Sequence, residues 1–325
     1  MRFTGFIAIS TLILAGCGGG DTPSNSAAKN PAASSTIVSN PSLPQDRARA
    51  LPLQDYFDCL REEGGVVLAA HRGGPVPGYP ENALETLQFN FDAGIVVSEI
   101  DIAESRDGVL FLMHDRTLGR TTTAGGPVVD TDWDAIARTR LVDNGGTETR
   151  FHPPKLTDVL LWAVETGAIV ELDRKSSTSF RNIVSAVRAA GAVNNAILIS
   201  YNDNDAGEIA RLAPDMMLTA SARGSRDIAR LEDIGVDPEN LIAWLGTNEP
   251  DAAAARRVLE EGVEPAFGTL GRSGERLDDL WLADGDASEF QDLIDDGHVL
   301  IATDRPLEIA PQISADELAT TVCWR

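Results

Sequence analysis

Nine short apolar, β-rich runs follow one another from residue 66 onward, and the lengths of the segments between them restrict the fold more than any other feature of the chain. The runs are VVLAAHR, VVSEIDI, VLFLMHD, AIVELDRK, AILISY, MLTASA, LIAWLG, PAFGTL and VLIATD. Segments of helical period lie between most of them, among them ENALETLQFNFDAG, KLTDVLLWAVETG, FRNIVSAVRAAG and PDAAAARRVLEEG, the pattern of a parallel sheet built from βαβ units. One connection breaks the pattern. AESRDG, between the second and third runs, is far shorter than a parallel crossover requires, so these two runs are predicted to form an antiparallel hairpin turning around Arg106, Asp107 and Gly108. Setting the returning strand aside leaves eight parallel strands. Count and length then predict an α/β fold, a TIM (β/α)8 barrel with an extra hairpin strand. The stretch from Arg116 to Pro154 fits no strand-and-helix step and is expected to be a small insertion after that strand, over the barrel, forming a lid or pocket rim.

In such a barrel the reacting groups stand at the C-terminal ends of the strands. The first run ends on His71 and Arg72, the second on Glu99 and Asp101, the hairpin on His114 and Asp115, and the next on Glu171, Asp173 and Lys175. Residues two apart share a face, so Glu99 projects with Asp101, and Glu171 with Asp173 and Lys175. Isolated, an E-x-D pair reads most simply as a solvated edge strand. Inside a closed barrel there is no edge, and clustered carboxylates require a cation, a lysine or water. A hard divalent ion, Mg²⁺ or Ca²⁺, accepts oxygen ligands of this kind. Two of the four histidines, His71 and His114, fall at neighbouring strand ends. A lone histidine there would be a satisfied polar residue, but two imidazoles can divide phosphodiester cleavage between a general base and a general acid. Arg72 and Lys175 could hold phosphate oxygens, or could simply balance the carboxylates. His152 and His298 are assigned no role.

The remaining features bound the class of protein. The chain has 325 residues, 43% of them hydrophobic, enough for a large core. Fifty acidic against 27 basic residues give a net charge of −23, a field that repels nucleic acid. Arg2 precedes an apolar run from Phe6 to Leu14 that is too short to span a bilayer, so residues 1–16 are expected to be a signal peptide. It closes on LAGC, which resembles a lipoprotein cleavage box and implies lipidation of Cys17. Gly18 after it resembles the pattern sent to the outer membrane, facing the periplasm or the cell surface. Residues 17–50 are rich in Gly, Ser, Pro, Asn and Ala and are expected to form a flexible tether, leaving 51–325 as the folded barrel domain. With Cys17 lipidated, Cys59 and Cys323 form an even pair that an exported protein can join as a disulfide.

HRG followed by PEN, then EID, MHD, LDRKS, ISY and TDRP, resemble in that order the motifs of the glycerophosphodiester phosphodiesterase family, over residues 66 to about 310. The resemblance implies a metal-dependent hydrolysis of glycerophosphodiesters to glycerol 3-phosphate and an alcohol. It makes His71 and His114 the catalytic acid and base, puts Arg72 on phosphate, and places Glu81 and Asn82 beside the site. Glu99 and Asp101 become metal ligands. LDRKS has aspartate where the family has the glutamate of E-x-K, so Asp173 aligns as the third ligand and Lys175 as the substrate-binding lysine, with Glu171 one layer deeper. PENA in place of PENT and the missing tryptophan motif near the seventh strand bear on headgroup preference. Two rivals are a phospholipase D-like or lysophospholipase-like barrel acting on lipids, and a non-catalytic surface binding lipoprotein. No protein partner is implied.

Overall fold

In a computed structural model of the chain, residues 51–285, 287–313 and Cys323 are described. The expected signal peptide, Cys17 and the tether lie outside them. Among the described residues nine strands form: β1 (Val67–Ala70), β2 (Val97–Glu104), β3 (Leu110–Leu112), β4 (Ile169–Arg174), β5 (Ala196–Ile199), β6 (Leu218–Ser221), β7 (Leu241–Trp244), β8 (Glu264–Gly268) and β9 (Leu300–Thr303). Each falls within or beside one of the nine runs. Eight pair in parallel in the order β1, β9, β8, β7, β6, β5, β4, β2, and β1 pairs with β2 to close the ring. This is a TIM barrel. The ninth strand, β3, pairs antiparallel with β2 outside the ring, Ile102 opposite Leu112 and Glu104 opposite Leu110. The same register brings Met113 N–H to Asp101 C=O at 2.9 Å, which sets His114 beside the acidic end of β2.

Alternation sorts each strand into two cores. Leu68, Ile100, Leu172, Leu198 and Ile301 face outward, into a shell shared with the surrounding helices. Val67, Ala69, Val97, Ile169, Ile197, Ile242, Leu300 and Ala302 face inward. The helix Leu53–Glu63 belongs to that inner cluster, burying Leu53, Tyr56, Phe57 and Leu60 against it. The structure joins Cys59 of this helix to Cys323, 264 residues away, as a disulfide. Outer helices carry local stop and start signals. Ser179 Oγ accepts from the Asn182 N–H to cap Phe180–Ala190, and Gly191 ends that helix in a left-handed conformation.

Three boundaries differ from expectation. The helix of the segment ENALETLQFNFDAG starts at Leu84, three residues into it, so Glu81 and Asn82 lie outside the helix. Asn82 has φ 57°, a left-handed conformation that a continuous helix excludes, and Leu87 nevertheless lies fully buried on the apolar face. The runs ending in HR and HD also stop early, at Ala70 and Leu112. Arg72 has φ 52° and Gly73 φ 82°, so the chain leaves the extended conformation immediately after β1. A Cβ on Gly73 would lie 2.7 Å from Leu87 Cδ2, which fixes glycine at this turn.

The segment between β3 and the helix Leu156–Thr166 has no barrel strand. It carries the short helix Trp133–Ile136, isolated bridges such as Thr122 to Leu141, and a small core of Met113, Leu118, Val128 and Ile136 packed on Phe111. A second cluster joins Leu141 and Phe151 to Ala83, fastening this insertion to the loop after β1. Among the described residues no helix is long and apolar enough to cross a membrane.

Candidate active site

The inward face of two neighbouring strands changes character along its length. On β2 it runs Val97, Glu99, Asp101, and on β4 it runs Ile169, Glu171, Asp173. The parallel register sets Glu99 beside Glu171 and Asp101 beside Asp173. Along these two strands apolar residues thus come first and carboxylates follow at the C-terminal end. One oxygen each from Glu99, Asp101 and Asp173 lies within 4.8 Å of the other two, and all three residues are buried.

Burial of three carboxylates is costly without counter-charge, and the neighbours supply only part of it. Lys175 Nζ lies 2.5 Å from Asp101 Oδ1 and 2.6 Å from Asp173 Oδ2. Burial opposes the charge on Lys175, but Asp101 and Asp173 outweigh it and hold the ammonium above its usual pKa. Asn82 brackets Asp101, its amide donating to Oδ2 at 2.6 Å and accepting from the Asp101 N–H at 2.9 Å. Tyr201 Oη donates to Asp173 Oδ2 at 2.8 Å. For Asp101, burial raises the pKa while Lys175 and His114 lower it, and the net effect is a carboxyl below the usual range. Glu99 goes the other way. Its burial, with Asp101 and Asp173 beside it, pushes it well above the usual range, although the Arg72 N–H donates to its Oε2 at 2.8 Å. Asp173 Oδ1 is buried with no hydrogen-bond partner. An orphaned oxygen and an under-compensated cluster of hard oxygen donors fit a divalent cation held by Glu99, Asp101 and Asp173.

Both candidate histidines face this cluster, and each is held through Nδ1 by an aspartate. His71 Nε2 lies 3.9 Å from Glu99 Oε2, and its Nδ1 is 2.7 Å from Asp304 Oδ1 at the end of β9. His114 Nδ1 is 2.7 Å from Asp115 Oδ1. Arg120, from the insertion, donates through Nε to Asp115 at 2.7 Å and through both terminal nitrogens to Glu81 at 2.8 Å. Its bond to Asp115 is the main reason that carboxyl is held far below its usual pKa. Arg72 reaches Glu81 at 3.3 Å and Asp101 at 3.8 Å, and its Nε makes no hydrogen bond.

The residues read from the sequence as acid–base, metal-holding and substrate-binding groups therefore assemble at one end of the barrel, but several are committed to protein partners. Glu81 and Asn82 are each 3% exposed and spend their polar atoms on arginines and on Asp101. The ammonium of Lys175 is spent on two carboxylates. Glu171 lies beneath the cluster and outside it, raised by burial to about 7. His152 and His298 stand apart, bonded through Nδ1 to the carbonyls of Thr139 and Leu293. Sequence reasoning assigned no role to Asp304, Tyr201 or Arg120. Two had a signal: Tyr201 and Asp304 continue the inward alternation of Ile197 and of Leu300 and Ala302, one step past the strand ends. Arg120 had none.

Comparison with known proteins agrees with this geometry. The glycerophosphoryl diester phosphodiesterase family model matches residues 71–238. An uncharacterised protein of Bacillus subtilis is 28% identical over 181 residues, covering 52% of this chain and 74% of its own length. A probable glycerophosphodiester phosphodiesterase of Mycobacterium tuberculosis is 25% identical over 182 residues, covering 56% of this chain and 60% of its own. Among solved structures, a glycerophosphoryl diester phosphodiesterase from Parabacteroides distasonis superposes with a TM-score of 0.69 at 24% identity, covering 82% of this chain and 94% of that one. A phosphodiesterase from Oleispira antarctica in complex with the product sn-glycerol-3-phosphate superposes at 0.59 with 19% identity, covering 77% and 98%. Those likenesses speak for the fold, and the family match takes in the site itself, from His71 through Glu99, Asp101, His114 and Asp173: the chain belongs to the glycerophosphoryl diester phosphodiesterase family and is an enzyme of that class.

Proposed function

We propose that this enzyme hydrolyses glycerophosphodiesters to glycerol 3-phosphate and an alcohol, with a divalent cation, Mg²⁺ or Ca²⁺, at Glu99, Asp101 and Asp173 and with His71 and His114 as the acid–base pair. The observation that carries the reading is the convergence of three carboxylate oxygens within 4.8 Å, flanked by two histidines that each leave Nε2 free of the aspartate holding Nδ1. A divalent cation bound there supplies neutralisation of the phosphate oxygens, without which a phosphodiester entering this acidic mouth would be repelled. Arg72, half-buried beside Glu81 and Asp101, sets a guanidinium at the site where it can meet a phosphate oxygen. Asn82 and Lys175 hold Asp101 and Asp173 in place, and Arg120 with Glu81 holds the loop after β1 over the site. One imidazole takes the proton of the attacking water, or of the substrate's 2-hydroxyl on the way to a cyclic phosphate that water then opens, and the other returns a proton to the departing alkoxide, so that the P–O bond to the alcohol breaks as the new P–O bond forms.

The reading extends to location. The LAGC box and the tether support an exported lipoprotein anchored through Cys17 at the outer membrane, and the Cys59–Cys323 disulfide suits an oxidising compartment.

The test is release of glycerol 3-phosphate from glycerophosphocholine and related diesters, with and without chelator, by the parent and by His71→Ala. Turnover is expected to require the cation and to vanish in the folded variant. Chelator-insensitive turnover would remove the metal assignment, and a fully active His71→Ala would remove the acid–base pair.

A further inference from the structure

We infer that Asp304 is the positioning residue of His71, fixing its imidazole as the Nδ1–H tautomer and aiming Nε2 at the reacting phosphate. The inference rests on the acid–base reading of His71. Nothing in the sequence motifs alone assigns the role, because Asp304 stands 233 residues from its partner.

Asp304 is itself locked from three sides. Its Oδ1 faces His71 Nδ1 at 2.7 Å, while Oδ2 accepts from the Gly271 N–H at 3.0 Å and from Arg276 at 2.8 Å. Its backbone N–H donates to Asp278 Oδ2 at 2.8 Å, and Thr303 Oγ1 donates to the other oxygen of that fully buried carboxyl. Burial opposes ionisation of Asp304, but His71, Gly271 and Arg276 together bring its pKa down to about 2. An ionised carboxylate only accepts hydrogen bonds, so His71 Nδ1 must carry the hydrogen. Nε2 is then the nitrogen left for chemistry, and it is the one 3.9 Å from Glu99 at the edge of the metal cradle. An asparagine of the same shape at 304 could present an N–H to Nδ1 and stabilise the opposite tautomer, leaving packing nearly intact.

Two measurements on the metal-loaded, full-length enzyme test this. Nitrogen-15 chemical shifts of His71, assigned by comparison with His71→Ala, are expected to report the Nδ1–H tautomer in the neutral imidazole. Asp304→Asn is expected to lose kcat by roughly 10²-fold or more with KM changed less than about threefold. An Nε2–H tautomer in the parent, or an Asp304→Asn variant retaining kcat within about threefold, overturns the inference. Should that variant fail to fold, the parent's tautomer alone decides. An active His71→Ala sinks the acid–base reading instead, whereas an inactive one beside an active Asp304→Asn sinks only the positioning role.

Discussion

Replacing Asn82 tests how Asp101 is kept in place. Asn82 sits at φ 57° and makes two hydrogen bonds to Asp101, one to its side chain at 2.6 Å and one from its backbone at 2.9 Å. Asn82→Ala removes both. Losing a hydrogen bond to a charged group costs about 1.5–3 kcal/mol, and the buried N–H left unsatisfied costs about 1–3 more. Asn82→Asp has nearly the same shape and keeps the bond from the Asp101 N–H, but it sets a second carboxylate oxygen against Asp101 Oδ2 at a distance near 2.6 Å. Two charges that close repel by about 6 kcal/mol at an effective dielectric of about 20. Protonating a carboxyl of ordinary pKa near 4 costs only about 4 kcal/mol at pH 7. The smaller cost wins, and the pair takes up a proton. Its folded-state pKa is then raised above the unfolded value, so stability is fully present below about pH 4 and is lost at about 1.4 kcal/mol per pH unit as pH rises. Urea unfolding of the chelated protein at pH 5, 6, 7 and 8 measures both effects. Asn82→Asp should cost about 1 kcal/mol at pH 5 and about 4 at pH 7, whereas the cost of Asn82→Ala should stay level across that range. A flat profile for Asn82→Asp, or a loss below about 1 kcal/mol for Asn82→Ala, would refute the bracketing of Asp101 by this side chain.

Glu171 carries a second pH signature. Its folded pKa of about 7 lies above the ordinary 4.5 because of burial, so its contribution is intact below about pH 4.5 and declines as pH rises through 7. Glu171→Gln in chelated protein should therefore gain about 3 kcal/mol at pH 8 and nothing at pH 4, and equal gains at both pH values would show that Glu171 is not the titrating group. The anchor is tested by feeding cells labelled palmitate: label on the protein, lost in Cys17→Ser, is expected, and its absence from the parent removes the lipoprotein reading.

What could be read along the chain was whatever depends on near neighbours. The nine strands followed from apolar runs, the hairpin from a connection too short for a crossover, and the shared faces of Glu99 with Asp101 and of Glu171 with Asp173 from the two-residue period of a strand. The motif residues were legible because each lies within a few positions of a strand end. Which partners those residues choose was not legible. Closure of the ring puts β9 beside β1, and that alone brings Asp304 to His71. The insertion folds Arg120 onto Glu81, and the left-handed turn at Asn82 draws that side chain down onto Asp101. Sequence periodicity records which way a side chain points. Whether Lys175 meets a phosphate or two carboxylates depends on distances across the barrel mouth, and those exist only once the ends of the sheet have met.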